Sequence, residues 1–192
     1  MTTLWVVFGV AATLIIFIIS LYNRLVKYRN TREKAFADID VQLKQRHDLI
    51  PLLMENVKGY MNYENKTIIA VTQARAAAIS AGNINEKIDA ENKLSSALSG
   101  LKVSIEAYPD LKASASFIIL QEEISDVENK LAATRRYFNS TTKEYNNSVE
   151  TFPANIIAGV FGFSREKMFE VGDSERVRLD KAPDSILEKT IQ

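Results

Sequence analysis

The sequence predicts an all-α protein, in which a single N-terminal transmembrane helix continues into an elongated, antiparallel up-and-down bundle of about four helices. Residues 4–21 carry no formal charge and are rich in Ile, Val, Leu and Phe. Two later stretches place apolar residues at alternating spacings of three and four, which keeps them on one side of a helix. The stretches between these two are short and end at Gly, Asn or Pro, as is typical of turns.

Composition favours one domain plus an anchor and removes several classes of function. After one span is set aside, 192 residues leave enough chain for a single domain with a sizeable core. Lys plus Arg and Asp plus Glu balance at 24 each, so no general field attracts nucleic acid. The lack of cysteine excludes disulfides, thiolate nucleophiles and sulfur-ligated metals. We expect an anchor over 1–22, a bundle over 23–163 and a loosely ordered, charged tail over 164–192.

The uncharged N-terminal stretch predicts a retained membrane anchor. Its 18 residues extend roughly 27 Å as a helix, which is just enough to span a bilayer. It lacks the basic start and the small-x-small exit of a cleaved signal peptide. Trp5 and Tyr22 lie near its ends, where aromatic rings favour the headgroup level. The alternative is an apolar helix buried in the core of the protein.

Cations directly after the anchor predict its orientation. Residues 24–34 include three arginines and two lysines but a single acid. The positive-inside rule then places the N terminus outside and the bundle on the cytoplasmic side of a bacterial inner membrane. Arg24, Lys27 and Arg29 are candidates for contact with lipid headgroups or a partner. Alternatively, these cations are only the solvated face of a helix.

The first and last long stretches carry the stripes that define the bundle. The first stripe consists of Phe36, Ile39, Leu43, Arg46, Ile50, Leu53, Val57 and Tyr60. The last consists of Phe117, Leu120, Ile124, Val127, Leu131, Thr134, Phe138, Thr141 and Tyr145. A sustained spacing of 3.5 residues implies nearly antiparallel packing. Helices over 23–60 and 111–152 would extend roughly 57 Å and roughly 63 Å in opposite senses, so the last should return to the membrane.

Two shorter helices are predicted between these stripes, over about 63–81 and 84–108. Gly82 and Asn83 separate them, and Pro109 forces a boundary after the second. Pro51 lies inside the first stripe, where we expect a kink and not an end of the helix. These lengths fit an up-down-up-down bundle without long crossovers.

The returning end leads into an apolar, membrane-proximal segment over 153–163. Its large apolar residues are Ile156, Ile157, Val160, Phe161 and Phe163. They are too few to span a bilayer. They suit three roles: lying at the membrane interface, docking on another subunit, or closing the base of the bundle.

Several blocks of the sequence resemble the LemA family of bacterial membrane proteins. These blocks are YNRLV at 22–26, DIDVQLKQRHDLIP at 38–51, VKGY at 57–60, VTQAR at 71–75, AYPDLK at 107–112, LQEE at 120–123, YN at 145–146 and FPAN at 152–155. They occur in order over roughly residues 4–163, and the tail lies outside them. The resemblance implies a membrane anchor followed by an elongated helical bundle, and it implies no established enzymatic activity or cofactor.

Polar residues on or beside the stripes are the remaining candidates for a site. Arg46 lies in the core register of the first helix and Arg75 in that of the second. Because a buried cation needs a charged partner, we predict an ion-pair network in which these arginines pair with Asp40 and Glu123. Further acids are available at Asp48, Glu64 and Glu128. The alternative is that each arginine extends its guanidinium to the surface.

Motifs for catalysis are absent or incomplete. The single histidine, His47, is preceded at three residues by Lys44, so the paired Glu-x-x-His motifs of di-metal bundles are missing. Asp48 points about 100° away from His47 around a helix, which does not suit a serine-histidine triad. The scattered glycines form no phosphate-binding motif. We therefore predict no catalytic residue, no metal site and no cofactor.

Two classes of function remain. In the first, the protein is a non-enzymatic, membrane-anchored scaffold or interaction module that self-associates or binds other membrane proteins. In the second, it binds or remodels membrane lipid through the cations after the anchor and residues 156–163. An enzyme would need a deep polar pocket lined by Asp40, Arg75 and Glu123, and a bundle interior could also hold a small signal molecule. Nucleic acid is not an expected partner.

Overall fold

The computed structural model describes residues 1–61 and 66–169, and it confirms the all-α class. The elements are α1 (Thr2–Lys58), α2 (Lys66–Ser80), α3 (Ile84–Ile105), α4 (Pro109–Ala113), α5 (Ala115–Glu150) and α6 (Ala154–Phe161). No β-strand occurs within the residues described. The predicted start of the second helix, including Glu64, and the tail beyond residue 169 lie outside them.

α1 is one uninterrupted helix that contains both the apolar anchor stretch and the first stripe of the bundle. An 18-residue window of α1 has a mean hydropathy of 2.7, and none of it is buried within the protein. α1 is therefore long and apolar enough to cross a membrane, and the alternative of a buried core helix is wrong. The helix also continues through Pro51, so this proline does not end it.

α1 and α5 form the antiparallel spine of the bundle. Leu25, just beyond the anchor, packs with Tyr145 and Val149 near the end of α5. Ile50, towards the other end of α1, belongs to the same core cluster as Phe117 near the start of α5. The end of α5 therefore lies at the anchor side of the bundle, as the predicted helix lengths require.

The structure buries almost all of the predicted stripes. In α1 the exception is Tyr60, which is 47% exposed, because the helix ends at Lys58 and the following turn directs Met61 into the core instead. In α5 only Ile124 and Thr134 of the predicted stripe are half-buried, and the others are buried. A heptad pattern thus identifies the core residues wherever the helix is continuous.

α2 and α3 form a hairpin that covers one side of the spine. Asn83 begins α3 by accepting a hydrogen bond from the backbone N–H of Glu86 at 2.9 Å. The Glu86 carboxylate accepts one from the backbone N–H of Gly82, also at 2.9 Å. This reciprocal capping explains why the chain turns at Gly82 and Asn83. α3 ends at Ile105, three residues before the predicted end at Tyr108.

The predicted fourth helix consists of two helices. Pro109 occupies the first turn of α4, and Ser114 then adopts an extended backbone with φ −67° and ψ 126° before α5 begins. Leu111 and Phe117 are both fully buried in the core cluster at the end of the bundle far from the anchor. The change of direction at Ser114 lets both side chains reach that core.

Residues 164–169 pack along the bundle and are not loosely ordered, which corrects the predicted start of the tail. Phe169 is buried in one core cluster with Phe36 and Phe138. The prediction was based on the missing helical period, but an extended segment held by side chains of neighbouring helices needs no such period.

Candidate functional site

α6 closes the anchor-side end of the bundle with its small residues. Ala154 and Ala158 are buried, and Ala158 packs with Leu25 of α1 and with Tyr145 and Val149 of α5. Short side chains at these positions let α6 lie close to both long helices. Of the three roles predicted for segment 153–163, these contacts support closure of the base of the bundle.

The opposite side of α6 presents large apolar side chains outward. Phe152, Ile156, Val160 and Phe161 are each more than half exposed, and we call them the apolar foot. Single exposed apolar residues are ordinary on a protein surface, but a cluster of four on and beside one short helix points to contact with something else.

Two of the residues predicted to contact lipid or a partner also contact the core. Ile157 and Phe163 are partly buried and pack against the cluster around Leu25. Ile157 is three residues from both Ala154 and Val160, so it lies at the border between the buried and the exposed face of α6. Phe163 follows Gly162, whose positive φ of 74° ends α6 and returns the chain to the bundle.

The apolar foot lies beside the residue at which the predicted anchor ends. The ring centroid of Tyr22 is 4.8 Å from that of Phe161 and 5.8 Å from that of Phe163. Because Tyr22 directly follows the uncharged stretch of α1, a bilayer around that stretch brings its headgroup region to the level of α6.

The three cations predicted to contact lipid are exposed on α1 above this level. Arg24 donates a hydrogen bond to the Tyr28 hydroxyl at 3.3 Å, and the Arg29 guanidinium lies 5.4 Å from the ring centroid of Phe163. Lys27 lines an open groove of about 370 Å³ on the surface of α1. Their contact with lipid stays a prediction.

A buried carboxylate, that of Glu91 in α3, lies at the centre of the bundle. Its side chain is 1% exposed, and its Oε2 atom is 3.1 Å from Nη1 of Arg46, which is 4% exposed. Its Oε1 atom is 2.6 Å from Nε2 of His47, and Nη2 of Arg135 in α5 lies 3.9 Å from Oε2. Glu91 therefore links α1, α3 and α5 through charged groups.

The two Nη atoms of Arg46 make further contacts in this network. Both Nη atoms donate to the Ser95 hydroxyl at 3.1 Å, and Nη2 is 3.5 Å from Oε1 of Glu128. Buried ion pairs of this kind add little net stability but penalise any slippage that leaves one partner alone. We infer that the network fixes the register between the helices.

The two acids predicted to pair with the arginines, Asp40 and Glu123, do not contact Arg46, whereas Glu128, one of the further acids, does. Asp40 pairs with Lys87 at 2.7 Å on the surface, and Glu123 is exposed on α5. Arg75 donates from Nε to the backbone carbonyl of His47 at 2.8 Å. Glu91 was not among the predicted partners, although its position between the buried residues Ile88 and Leu94 is a core position.

A groove of about 300 Å³ lies beside this network. Its polar lining consists of Asp40, Lys44, His47, Asp48, Arg75, Lys87 and Glu91. It contains Asp40 and Arg75 but not Glu123, so the pocket that an enzymatic interpretation requires is not formed by the predicted residues. Within the described residues, no group of three His, Cys, Asp or Glu side chains is arranged to hold a metal ion.

Two perturbed groups lie between the network and the apolar foot. Burial lowers the pKa of Arg32, while Glu166, 3.2 Å away, acts in the opposite direction. Burial likewise raises the pKa of the Tyr145 hydroxyl, so that side chain is uncharged at neutral pH. Arg32 is therefore a buried cation that depends on Glu166 for its neutralisation.

Comparison with known proteins finds similarity to a LemA protein and to two magnetosome proteins. Protein LemA of Metamycoplasma hominis is 29% identical over 162 residues, which cover 82% of this chain and 73% of that protein. Magnetosome protein MamQ of Magnetospirillum gryphiswaldense is 20% identical over 174 residues, 77% of this chain and 64% of that protein. Magnetosome protein MamQ 2 of Paramagnetospirillum magneticum is 24% identical over 83 residues, 43% and 30% of the two chains. The chain thus spans less than two thirds of these magnetosome relatives.

The LemA family model matches residues 35–182. This match continues past residue 163, where the resemblance in the sequence was expected to end, and it includes the segment 164–169 that packs on the bundle. Since the matched region covers most of the chain, this protein belongs to the LemA family.

Proposed function

We propose that this protein is a non-enzymatic scaffold of a bacterial inner membrane, which holds a rigid helical bundle at the bilayer surface and binds further copies of itself or other membrane proteins. The observation that carries this proposal is the continuity of α1, which extends from the apolar anchor stretch to the far end of the bundle. A continuous helix leaves no flexible linker between the two parts, so the surfaces of the bundle are held at fixed heights above the membrane.

The charged interior supports a static role for the bundle. Arg46 and His47 of α1 both bond Glu91 of α3, as expected of a bundle held in a single register. A scaffold needs such a bundle, because its binding surfaces must keep their relative positions. The expected orientation, with the bundle in the cytoplasm, follows from the exposed cations at the start of the bundle.

Photo-crosslinking of the full chain in its membrane tests the scaffold. A photoreactive side chain in place of Tyr137, which is exposed on α5, is expected to form adducts with protein, including species at multiples of 21.6 kDa. The same probe in place of Phe8, exposed in the anchor stretch, is the control and is expected to react mainly with lipid. Lipid adducts alone at several bundle positions would contradict the proposal.

A second candidate function is direct binding of the bilayer surface by the apolar foot. Phe152, Ile156, Val160 and Phe161 point outward beside Tyr22, where a bilayer around the anchor stretch would present its headgroup region. A helix with an apolar outer face at that level favours insertion into the interface. The neighbouring cations of α1 would add attraction to anionic lipid.

Tryptophan fluorescence separates lipid contact from contact with another protein. In full chain that carries Trp5→Phe, we expect Val160→Trp to be strongly quenched by brominated lipids, because the side chain lies in the interface. Val103→Trp is the matched control, since Val103 is exposed to the same extent, 74%, but lies at the far end of α3. Equal quenching at the two positions, or none at position 160, would contradict lipid contact by the apolar foot.

A further inference from the structure

Residues 164–169 are bound to α5 through their backbone, in the manner of a peptide ligand. The Asn146 side chain donates to the carbonyl of Glu166 and accepts from its N–H, each at 2.9 Å. The Asn139 side chain does the same for Phe169, at 3.0 Å and 2.9 Å. Each asparagine side chain thus binds both backbone groups of one residue, as a neighbouring strand does in a β-sheet.

The spacing of these two asparagines matches an extended chain. Asn139 and Asn146 are separated by seven residues of α5, which is about 10.5 Å along the helix. Glu166 and Phe169 are separated by three residues, which is about 10 Å in an extended segment. The helix therefore presents these two asparagines at the repeat that an extended peptide requires.

The side chains of the segment enter two dissimilar pockets. The Glu166 carboxylate is 3.2 Å from Nη2 of buried Arg32 and accepts a hydrogen bond from Asn85 at 2.9 Å. The ring of Phe169 is 5.7 Å from that of Phe138, and the Arg135 guanidinium lies 4.7 Å from its centroid. We call the surface of the bundle that holds this segment the groove; it is lined by Arg32, Asn85, Arg135, Phe138, Asn139 and Asn146. The groove thus recognises an acidic residue followed three residues later by phenylalanine.

Leaving the groove empty would raise the free energy of the folded bundle, so the groove needs an occupant. Arg32 would be left as a buried cation without its carboxylate partner, and the aromatic cluster of Phe36 and Phe138 would lose the ring that covers it. All contacts of the segment are non-covalent, and none of them requires that it belong to the same chain. An equivalent segment from another copy satisfies the same groups.

We propose that the groove is a self-association site, in which residues 164–169 of one copy occupy the groove of a second copy. This inference rests on the proposed self-associating scaffold and assigns it a mechanism. The occupant is a second copy because its segment matches both pockets and both asparagines without alteration. Exchange of identical elements conserves the contacts, so it costs little free energy. Membrane-anchored copies also meet at high effective concentration.

The connection to α6 supplies a place where the chain can change direction. Gly162 already adopts a positive φ of 74°, and Ser164 and Arg165 are exposed. Altering the backbone at Ser164 and Arg165 moves the segment out of its own groove, while α6 stays packed through Ala154 and Ala158 and Phe163 keeps its place. Besides the contacts that the second copy restores, the change breaks the exposed ion pair between Arg165 and Glu150, at 3.0 Å.

Complementation between two full-length variants tests the exchange. A groove variant carries Asn139→Ala and Asn146→Ala, and a segment variant carries Glu166→Ala and Phe169→Ala. Two tagged copies of the wild type should co-purify from detergent-solubilised membranes, whereas two copies of either variant should not. One copy of each variant should co-purify again, because the first contributes an intact segment and the second an intact groove.

Two controls keep changes in folding apart from changes in association. Met168→Ala alters an exposed side chain of the same segment and is expected to leave co-purification unchanged. A labelled peptide of residues 163–170 should bind the full-length segment variant, as measured by fluorescence anisotropy, but not a chain that carries both sets of substitutions. Thermal unfolding of each variant reports whether the bundle is intact.

The outcomes distinguish failure of the exchange from failure of the scaffold. Equal co-purification of the wild type and both variants would refute the exchange and leave the self-associating scaffold in place. If the variants lose association, the mixture does not restore it and the peptide does not bind, the exchange is also refuted. If wild-type copies neither co-purify nor crosslink, self-association is refuted, and the exchange is refuted with it.

Discussion

Replacement of Glu91 by alanine is expected to lower the free energy of unfolding by about 3–5 kcal/mol. The substitution leaves the guanidinium of Arg46, which is 4% exposed, without its buried carboxylate partner and removes the acceptor for His47. The remaining carboxylate near Arg46, that of Glu128, lies 3.5 Å from Nη2 and is 51% exposed, so it does not replace the buried one. Chemical denaturation of the detergent-solubilised full chain, followed by circular dichroism, measures the change.

Two further variants make this result specific to the buried pair. Asp126→Ala breaks an exposed i,i+4 pair with Lys130, so it should change stability by less than about 0.5 kcal/mol. The double variant Arg46→Met with Glu91→Leu removes both charges and should be more stable than Glu91→Ala. A Glu91→Ala chain as stable as the wild type would mean that Arg46 reaches solvent, and the network would lose its role in setting the register.

Replacement of Phe138 by alanine is also expected to destabilise the bundle by about 3–5 kcal/mol. Phe138 is fully buried, and its ring centroid lies 5.6 Å from that of Phe36 and 5.7 Å from that of Phe169. The Arg32 guanidinium is 5.0 Å from the same ring, so the truncation also removes a cation–π contact. The midpoint of thermal unfolding of the full chain reports the loss.

The residue next to Phe138 provides a matched control for aromatic truncation. Tyr137 is 55% exposed, so Tyr137→Ala is expected to change stability by less than about 0.5 kcal/mol. Phe138→Leu retains much of the apolar volume and should fall between the alanine variant and the wild type. Similar losses for Tyr137→Ala and Phe138→Ala would show that the cluster around Phe138 does not organise the middle of the bundle.

The sequence alone was sufficient for the anchor stretch, the long antiparallel helices and most of their core. Those features depend on local periodicity and length, which a single chain displays directly. Tyr60 was placed incorrectly because a heptad pattern does not reveal that the helix ends at Lys58. The break at Ser114 was missed for a similar reason, since apolar spacing continues on both sides of it.

The partners of buried charges could not be read from the sequence in the same way. Periodicity identifies Arg46 as a core residue, but the neighbour it meets depends on how the helices are aligned against one another. Asp40 and Glu123 were chosen because they are acidic, whereas Glu91 is the acid at a core position. An acid in an apolar stripe is best treated as a candidate partner for an arginine in another stripe.

The segment 164–169 gave no signal of its own because an extended chain has no helical period. Its binding groups are Asn139 and Asn146, which look like ordinary polar residues on the flank of α5. Their separation of seven residues could have indicated a shared face, but not which part of the chain they bind. Contacts of this kind become visible only when the fold is known.

With its anchor stretch in a bilayer, the unbroken α1 also makes the bundle a rigid lever that pivots at the membrane. Spanning helices tilt when the hydrocarbon layer becomes thinner, and a change in tilt of about 10° would displace the far tip, about 55 Å above Tyr22, by about 10 Å. Thickness differences between membrane regions would thus reorient the distal loops far more than the base, where α6 is fastened.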